Sequence, residues 1–150
     1  MQESDTILTP LRELCASQHL AVLATEGRSH PYASLIAFAA TDDLRRFFFV
    51  TKRDTRKFAN MQSNGHVALL IDNRTNSVSD FTHAIAVTVL GECRELHGTE
   101  MVEASRCYVE KHPHLEEFVA SSECALIEVT VRSFYLVSHF QNLREYHFSP

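Results

Sequence analysis

A succession of short apolar runs, each closed by turn residues, limits this chain more than any other feature. The runs cover residues 20–25, 31–40, 44–51, 67–71, 84–96 and 125–138. Their length and their content of β-branched and aromatic residues predict strands. Glu26-Gly27-Arg28 marks the turn after the first run and Asp42-Asp43 the turn after the second, so the first three join as hairpins. In the fifth run Val87 and Val89 alternate, and Gly91 predicts a bend. In the sixth, Ile127, Val129 and Val131 share a face.

Helical patterns fall between the strands. Thr9-Pro10 reads as an N-cap followed by proline at the first helical position, and Leu11, Leu14 and Cys15 then give a helix ending near Ser17. A second helix is predicted from its N-cap Asp54 to about Gln62, with Phe58 and Met61 facing inward and Asn64-Gly65 as the stop. Residues 72–80 read as a polar loop, 100–110 as a helix, and 115–120 as a short helical piece after His112-Pro113-His114. The class is mainly β (α+β), with hairpin-linked strands closing into an antiparallel barrel. No GxGxxG fingerprint and no βα alternation of a parallel sheet is present. With 150 residues and no repeat or linker, one domain is expected.

The net charge of -5 argues against bulk binding to nucleic acid. The apolar runs are too short to span a bilayer, and MQESDTILTPLREL lacks the apolar core of a signal peptide, so a cytoplasmic location is expected. Cys15, Cys93, Cys107 and Cys124 form no CxxC pair and read as free thiols.

Against this acidic background one cationic turn stands out, Thr51-Lys52-Arg53-Asp54-Thr55-Arg56-Lys57. A helix N-terminus carries about half a positive charge and unpaired amides, so first turns favour Asp and Glu. Arg56 and Lys57 stand there instead. A bound anion would accept the free amides, complement the dipole and pair with both side chains, and Thr51 and Thr55 would add hydroxyl donors.

The segments Pro31-Tyr32-Ala33-Ser34-Leu35, Phe48-Phe49-Val50-Thr51, Thr55-Arg56-Lys57-Phe58-Ala59-Asn60-Met61 and Asn64-Gly65-His66-Val67-Ala68-Leu69-Leu70 resemble the pyridoxamine 5'-phosphate oxidase-like, FMN-binding split-barrel superfamily. The resemblance covers most of the chain and is strongest over residues 20–73. It implies a six-stranded antiparallel split β-barrel with flanking helices, forming a homodimer with two flavin sites at the subunit interface. By the same resemblance Arg56 and Lys57 hold the FMN phosphate, with Thr51, Val50, Thr55 and the neighbouring Lys52. The backbone of Ala33, Ser34, Leu35 and Ile36 runs along the isoalloxazine, and Tyr135 falls at an aromatic position near the flavin.

Arg74 and Asn76, in the loop after the fourth strand, are candidates to reach the cofactor or a small-molecule substrate across that interface. Of the nine histidines, His112 and His114 flank a proline and cannot present like a helical metal pair. His139 is the candidate ligand if the cofactor is haem, as in some split-barrel relatives. Neither Ser34 nor Ser138 has a nucleophile-elbow context, and no catalytic residue is assigned; a flavin enzyme needs no hydrolase triad. The chain departs from the family in lacking tryptophan and the basic C-terminal motif that grips the oxidase's substrate, since that region reads Ser138-His139-Phe140-Gln141-Asn142-Leu143-Arg144-Glu145-Tyr146. The resemblance therefore implies an FMN-dependent oxidoreductase with an unspecified substrate. The alternatives are a flavin- or haem-binding stress protein without turnover, or a deazaflavin-cofactor reductase.

Overall fold

The structure, a computed structural model, describes residues 3–150. Strands β1 (Leu20–Gly27), β2 (His30–Ala40), β3 (Arg46–Lys52), β4 (His66–Asp72), β5 (Ala86–Glu95), β6 (Cys124–Ser138) and β7 (Asn142–His147) lie in the order β3-β2-β1-β4-β5-β6-β7. All neighbours are antiparallel. β3 also pairs with β6, from Arg46↔Thr130 to Lys52↔Cys124, so the first six strands close into the expected split barrel. β7 extends its edge. The sequence did not announce β7, because its outward residues Leu143, Glu145 and His147 are exposed and its other face carries Arg144, so no clear apolar alternation is left to read.

The barrel interior is filled by Leu23, Phe38, Phe47, Phe49, Leu69, Val87, Val89 and Phe134, all fully buried. Phe38 stacks on Phe47 at 5.9 Å, and Phe47 meets Phe134 at 6.2 Å. Helix α1 (Glu3–Ser17) joins this core through Ile7, Leu11 and Leu14. On the outside of the wall a second cluster joins Phe48, Val50 and Leu126 to Ala104 and Tyr108 of α4 (Glu100–Lys111). β3 is thus buried on both faces, which is why it reads as an unbroken apolar run. The remaining helices are α2 (Arg56–Ser63), α3 (Asp80–His83) and α5 (Glu116–Ala120), the last preceded by a 3-10 turn at Pro113–Leu115. No helix among the described residues is long and apolar enough to cross a membrane.

Two local expectations are corrected and a third is given its cause. Pro10 lies inside α1, not at its start. Proline cannot donate to the carbonyl four residues back, that of Thr6, and Arg144 Nη1 of β7 donates to it at 2.9 Å. The first hairpin turns at Arg28-Ser29, both left-handed with φ 53° and 63°, while Gly27 stays in the strand opposite His30. A Cβ on Gly27 would lie 2.0 Å from Asn60 Oδ1, so strand and α2 pack through the missing side chain. The bend at Gly91 is a β-bulge: Leu90 faces Ser133 and Gly91 faces Val131, leaving Arg132 unpaired. The bulge switches the alternation of β6. Ala125, Ile127, Val129 and Val131 point inward before it, and Phe134 and Leu136 after it.

Two polar clusters fasten the helices. Lys111 Nζ donates to the carbonyls of Cys15 and Gln18, each at 2.7 Å, at the C-terminal end of α1, and sits 3.8 Å from the Phe38 ring centroid. Burial pulls its amine down to about 8. Beside it the buried His112 donates from Nε2 to the Phe38 carbonyl at 2.7 Å, and burial lowers its pKa too. His112 is therefore a structural residue. On β6, the buried Glu128 accepts from Arg94 Nε at 3.3 Å and lies 3.5 Å from Arg46 Nη1; Arg94 continues to Glu100, and Arg46 to Glu103 at 3.8 Å. This chain of charges crosses the β3–β6 seam and reaches α4. The four cysteines are free, and burial pushes the Cys15 thiol up to about 12 and the Cys93 thiol to about 11.

Two outcomes follow. Glu128→Ala removes the buried carboxylate between Arg46 and Arg94, each of which keeps a second acid on α4, and urea unfolding should show a loss of about 1 kcal/mol. Lys111 binds its proton less tightly folded than unfolded, so between pH 8 and about 10.5 the unfolded state holds more protons and stability gains as pH rises. The stability of wild type relative to Lys111→Met should rise across that window and stay flat below it, as read from chemical denaturation at stepped pH.

Candidate functional site

The cationic turn joins β3 to α2. Its N-cap is Thr55, one residue later than Asp54. Thr55 Oγ1 accepts from the Phe58 amide at 3.3 Å and donates to the Lys52 carbonyl at 2.9 Å. A carboxylate at the cap cannot make the second bond, which explains the choice. Thr51 is fully buried, with its hydroxyl 3.2 Å from that of Thr55, so it braces the cap from below. The amides of Arg56 and Lys57 have no acceptor among the described residues, and no acid lies in the first turn. The Arg56 guanidinium lies 5.3 Å from the Tyr32 ring centroid at the start of β2. Lys57 is half-buried and, like the exposed Lys52, makes no ion pair among the described residues. Arg53 is turned away: Nη1 donates to Glu95 Oε1 at 2.7 Å and Nη2 to the Cys124 carbonyl at 3.3 Å.

β2 runs beside this turn. β2 pairs with β3 only over Phe38–Ala40 and with β1 before that, and the turn meets the start of β2 where Arg56 lies over Tyr32. Ala33 and Leu35 are exposed on the outer face, while Ser34 and Ile36 face inward. The Ser34 hydroxyl is buried without a hydrogen-bond partner. Val50 packs its side chain under α4 and offers the turn only backbone. Two unpaired amides, a guanidinium and an ammonium at the turn fit a phosphate group in charge and donor type.

The other predicted residues lie elsewhere. Asn60 of α2 donates to Thr25 near the end of β1, and β4 runs antiparallel to β1, so Arg74 and Asn76 leave the opposite end of the wall, roughly 20 Å away by strand rise. Arg74 pairs with Asp72 at 3.0 Å. Asn76 is left-handed, φ 62°, and its amide donates to the Asp80 carboxylate at 2.7 Å, which also accepts from the amides of Thr75 and Ser77. Those amide bonds hold the Asp80 carboxyl below its usual range. Tyr135 lies on the outer face in the cross-strand row Leu35, Val22, Leu70, Thr88, Tyr135, about four strand spacings or ~19 Å around from Leu35. His139, also left-handed, has Nδ1 3.2 Å from the Thr82 carbonyl, and its neighbour Phe140 meets Phe81 edge-on at 5.5 Å. No group of three His, Cys, Asp or Glu among the described residues is placed to hold a metal ion.

One constellation was not visible in the sequence. Ser133 Oγ and His147 Nδ1 are 2.7 Å apart, His147 Nε2 and Glu145 Oε2 are 3.1 Å apart, and the Tyr135 ring meets the imidazole edge-on at 5.7 Å. These residues converge only because β7 pairs with β6, Ser133 opposite His147 and Tyr135 opposite Glu145. The period-two spacing of Leu143, Glu145 and His147 was the signal available.

The sequence profile described as pyridoxamine 5'-phosphate oxidase matches residues 8–138. The chain belongs to the pyridoxamine 5'-phosphate oxidase family. Solved structures share the split-barrel fold at low identity. A haem-binding protein from Mycobacterium smegmatis superposes with TM-score 0.81 at 14% identity, over 91% of this chain and 55% of that one. A FAD-binding protein from Mesorhizobium loti gives 0.69 at 14%, over 86% and 90%. General stress protein 26 from Bacillus anthracis gives 0.70 at 15%, over 92% and 98%. The chain thus spans about half the length of the mycobacterial protein. No curated protein matches in sequence.

Within this turn the cap is the feature most open to test. Thr55→Ala should lower stability by about 1 kcal/mol in urea titration, and Thr55→Ser should restore most of it.

Proposed function

We propose that this member of the pyridoxamine 5'-phosphate oxidase family binds FMN and works as a flavin-dependent oxidoreductase on a small molecule. The observation that carries the reading is the pair Arg56 and Lys57 with its two unpaired amides on a cap braced by Thr55 and Thr51. Arg56, Lys57 and those amides would bind the phosphate, with the exposed Lys52 adding positive potential at the edge. The β2 segment Ala33–Ile36 would border the ring. When bound, the isoalloxazine would supply the two-electron chemistry; the protein supplies position and charge.

The working unit in this reading is a homodimer. Leu35, Leu70 and Leu90 are 64%, 37% and 38% exposed, and Val22, Ala24, Ala33 and Ala68 lie between them on the same outer face. A second copy seated on that face would bury it and let Tyr135, Arg74 and Asn76 of one subunit approach the cationic turn of the other. That assembly answers the separation of the two residue groups within one chain.

A second reading has its own support. His139 Nδ1 is engaged by the Thr82 carbonyl, which leaves Nε2 without a hydrogen-bond partner among the described residues, on an exposed residue next to the exposed Phe140. A backbone acceptor behind a histidine is the arrangement that orients a metal ligand, and one structural relative binds haem. Haem would then replace flavin.

Titration of purified protein with FMN and with haemin separates the two readings. Flavin binding with unaltered affinity in His139→Ala, and a loss of about 100-fold or more in Arg56→Ala/Lys57→Ala, is the expected outcome, each charge-assisted contact being worth about 1.5–3 kcal/mol. Equal FMN affinity in wild type and the double variant overturns the phosphate assignment. Sedimentation of Leu35→Asp/Leu70→Asp should show monomer where wild type shows dimer.

A further inference from the structure

Helix α4 turns Ala104 and Tyr108 to the wall, yet its apolar residues continue round to a second stripe. Met101, Val102, Ser105 and Val109 form that stripe at helical spacing, across from Val119 and Ala120 of α5. Between the two helices lies a groove of about 620 Å³, which also touches the buried Cys124 at the start of β6. That volume falls within the range of small-molecule sites, and the walls are mainly aliphatic. From Val102 to Val109 the groove follows α4 for roughly 10 Å. Val102 is 60% exposed at the rim, where a β-branched side chain costs helix propensity without packing in return. α5 is only five residues long and leaves it uncovered.

The charges on the groove are unevenly matched. Arg106 follows Val102 by one turn and precedes Val109 by one turn, so it belongs to the same stripe. Glu103 and Glu110 stand at the helix spacing that normally pairs charges, yet Arg106 is exposed and makes no ion pair among the described residues. The other guanidinium, that of Arg53, is already held by Glu95 and the Cys124 carbonyl. The carboxylate on the groove, Glu116, stands in the first turn of α5, where it complements the amides of a helix without a side-chain cap. Arg106 is thus the lining charge that the fold leaves unmatched. The groove is too small for a protein partner: two short helix faces and a turn fall well short of the roughly 20–30 residues a side of a stable interface.

We infer that the groove between α4 and α5 binds a small amphipathic carboxylate of medium chain length, with its chain along the aliphatic walls and its head on Arg106. The guanidinium offers parallel N–H donors that match two carboxylate oxygens. The chain covers Val102 and buries the stripe that α5 leaves open. Arg56 and Lys57 line no part of this groove, so the inference stands apart from the flavin reading.

The test titrates the full chain with decanoate, below the concentration at which it forms micelles, and follows calorimetric heat and amide NMR shifts. Decanoate should saturate a single site, with the largest shifts in α4, α5 and the turn at residues 121–123. Decyltrimethylammonium has the same chain and the opposite charge, and should bind at least about fivefold more weakly. Arg106→Ala should weaken decanoate by about fivefold, the upper end for a partly exposed ion pair. Val102→Asp removes apolar contact and adds a like charge, and should weaken it by about tenfold or more. Both side chains are exposed, so the urea midpoints of the variants should stay close to that of wild type. If Val102→Asp does not fold, Arg106→Glu takes its place in the same titration. Absence of binding to wild type, shifts confined to other parts of the chain, or equal affinity in wild type and the variants each overturn the assignment. Equal affinity for the two amphiphiles overturns the role of Arg106, and with it the carboxylate. If decanoate does not bind and Val102→Asp sediments as a smaller species than wild type, the groove is an interface between copies and the proposal falls.

Discussion

The seam between β3 and β6 is the constraint on which the rest of the molecule depends. β6 pairs with β3 along its first half, with β5 along most of its length and with β7 along its second half. Closing the sheet this way removes two strand edges and encloses the phenylalanine-rich interior. It also fixes what the outside of the wall can do. One sector is covered by α4, tied across the seam by Glu128 and its arginines. Another sector, from β2 round to β7, carries the exposed Leu35, Leu70 and Leu90.

The same seam explains why the cationic turn can serve as a site. β3 is buried on both faces up to Thr51, so the chain leaves the wall from a rigid anchor. The first residues of α2 are held by two hydroxyls packed against each other and against a strand carbonyl. Cations placed against the helix dipole are unfavourable there, and the braced cap keeps the first turn formed despite them. Arg53 and Arg56 are three residues apart and chemically identical, yet they differ in role. Glu95 and the Cys124 carbonyl occupy the first, while the second lies over the Tyr32 ring and makes no ion pair among the described residues.

Much of this was legible in the residues. The six barrel strands, their antiparallel order, the bend at Gly91 and the inward pair Phe58 and Met61 each follow from local patterns that the tertiary structure reinforces. What was not legible depends on partners distant in sequence. The early start of α1 is compatible with Pro10 because Arg144 meets the Thr6 carbonyl. The turn at Arg28-Ser29 lacks glycine, and Gly27 is required instead by the approach of Asn60. β7 carries exposed residues on one face and finds its place only against β6. The grouping of candidate residues shows the same division. The residues of the cationic turn are neighbours in sequence and remain so, whereas Arg74 and Asn76, read from their loop, and Tyr135, inferred from resemblance, lie elsewhere on the wall.

The single unpaired residue at Arg132 has a further implication, for how this protein tolerates changes in length. Elsewhere in a barrel strand, losing one residue inverts every side chain beyond the cut. Here the inversion is already built in and compensated, with Gly91 allowing the Thr130 carbonyl to approach within 2.4 Å of where a Cβ would stand. Excising Arg132 would restore a regular ladder and turn Phe134 and Leu136 out to solvent while driving Tyr135 and Ser133 into the core. The strand would gain a better backbone and lose both its interior and its outward chemistry. Among homologues, the length of this segment should therefore be kept more strictly than the identity of the residue that occupies the extra position.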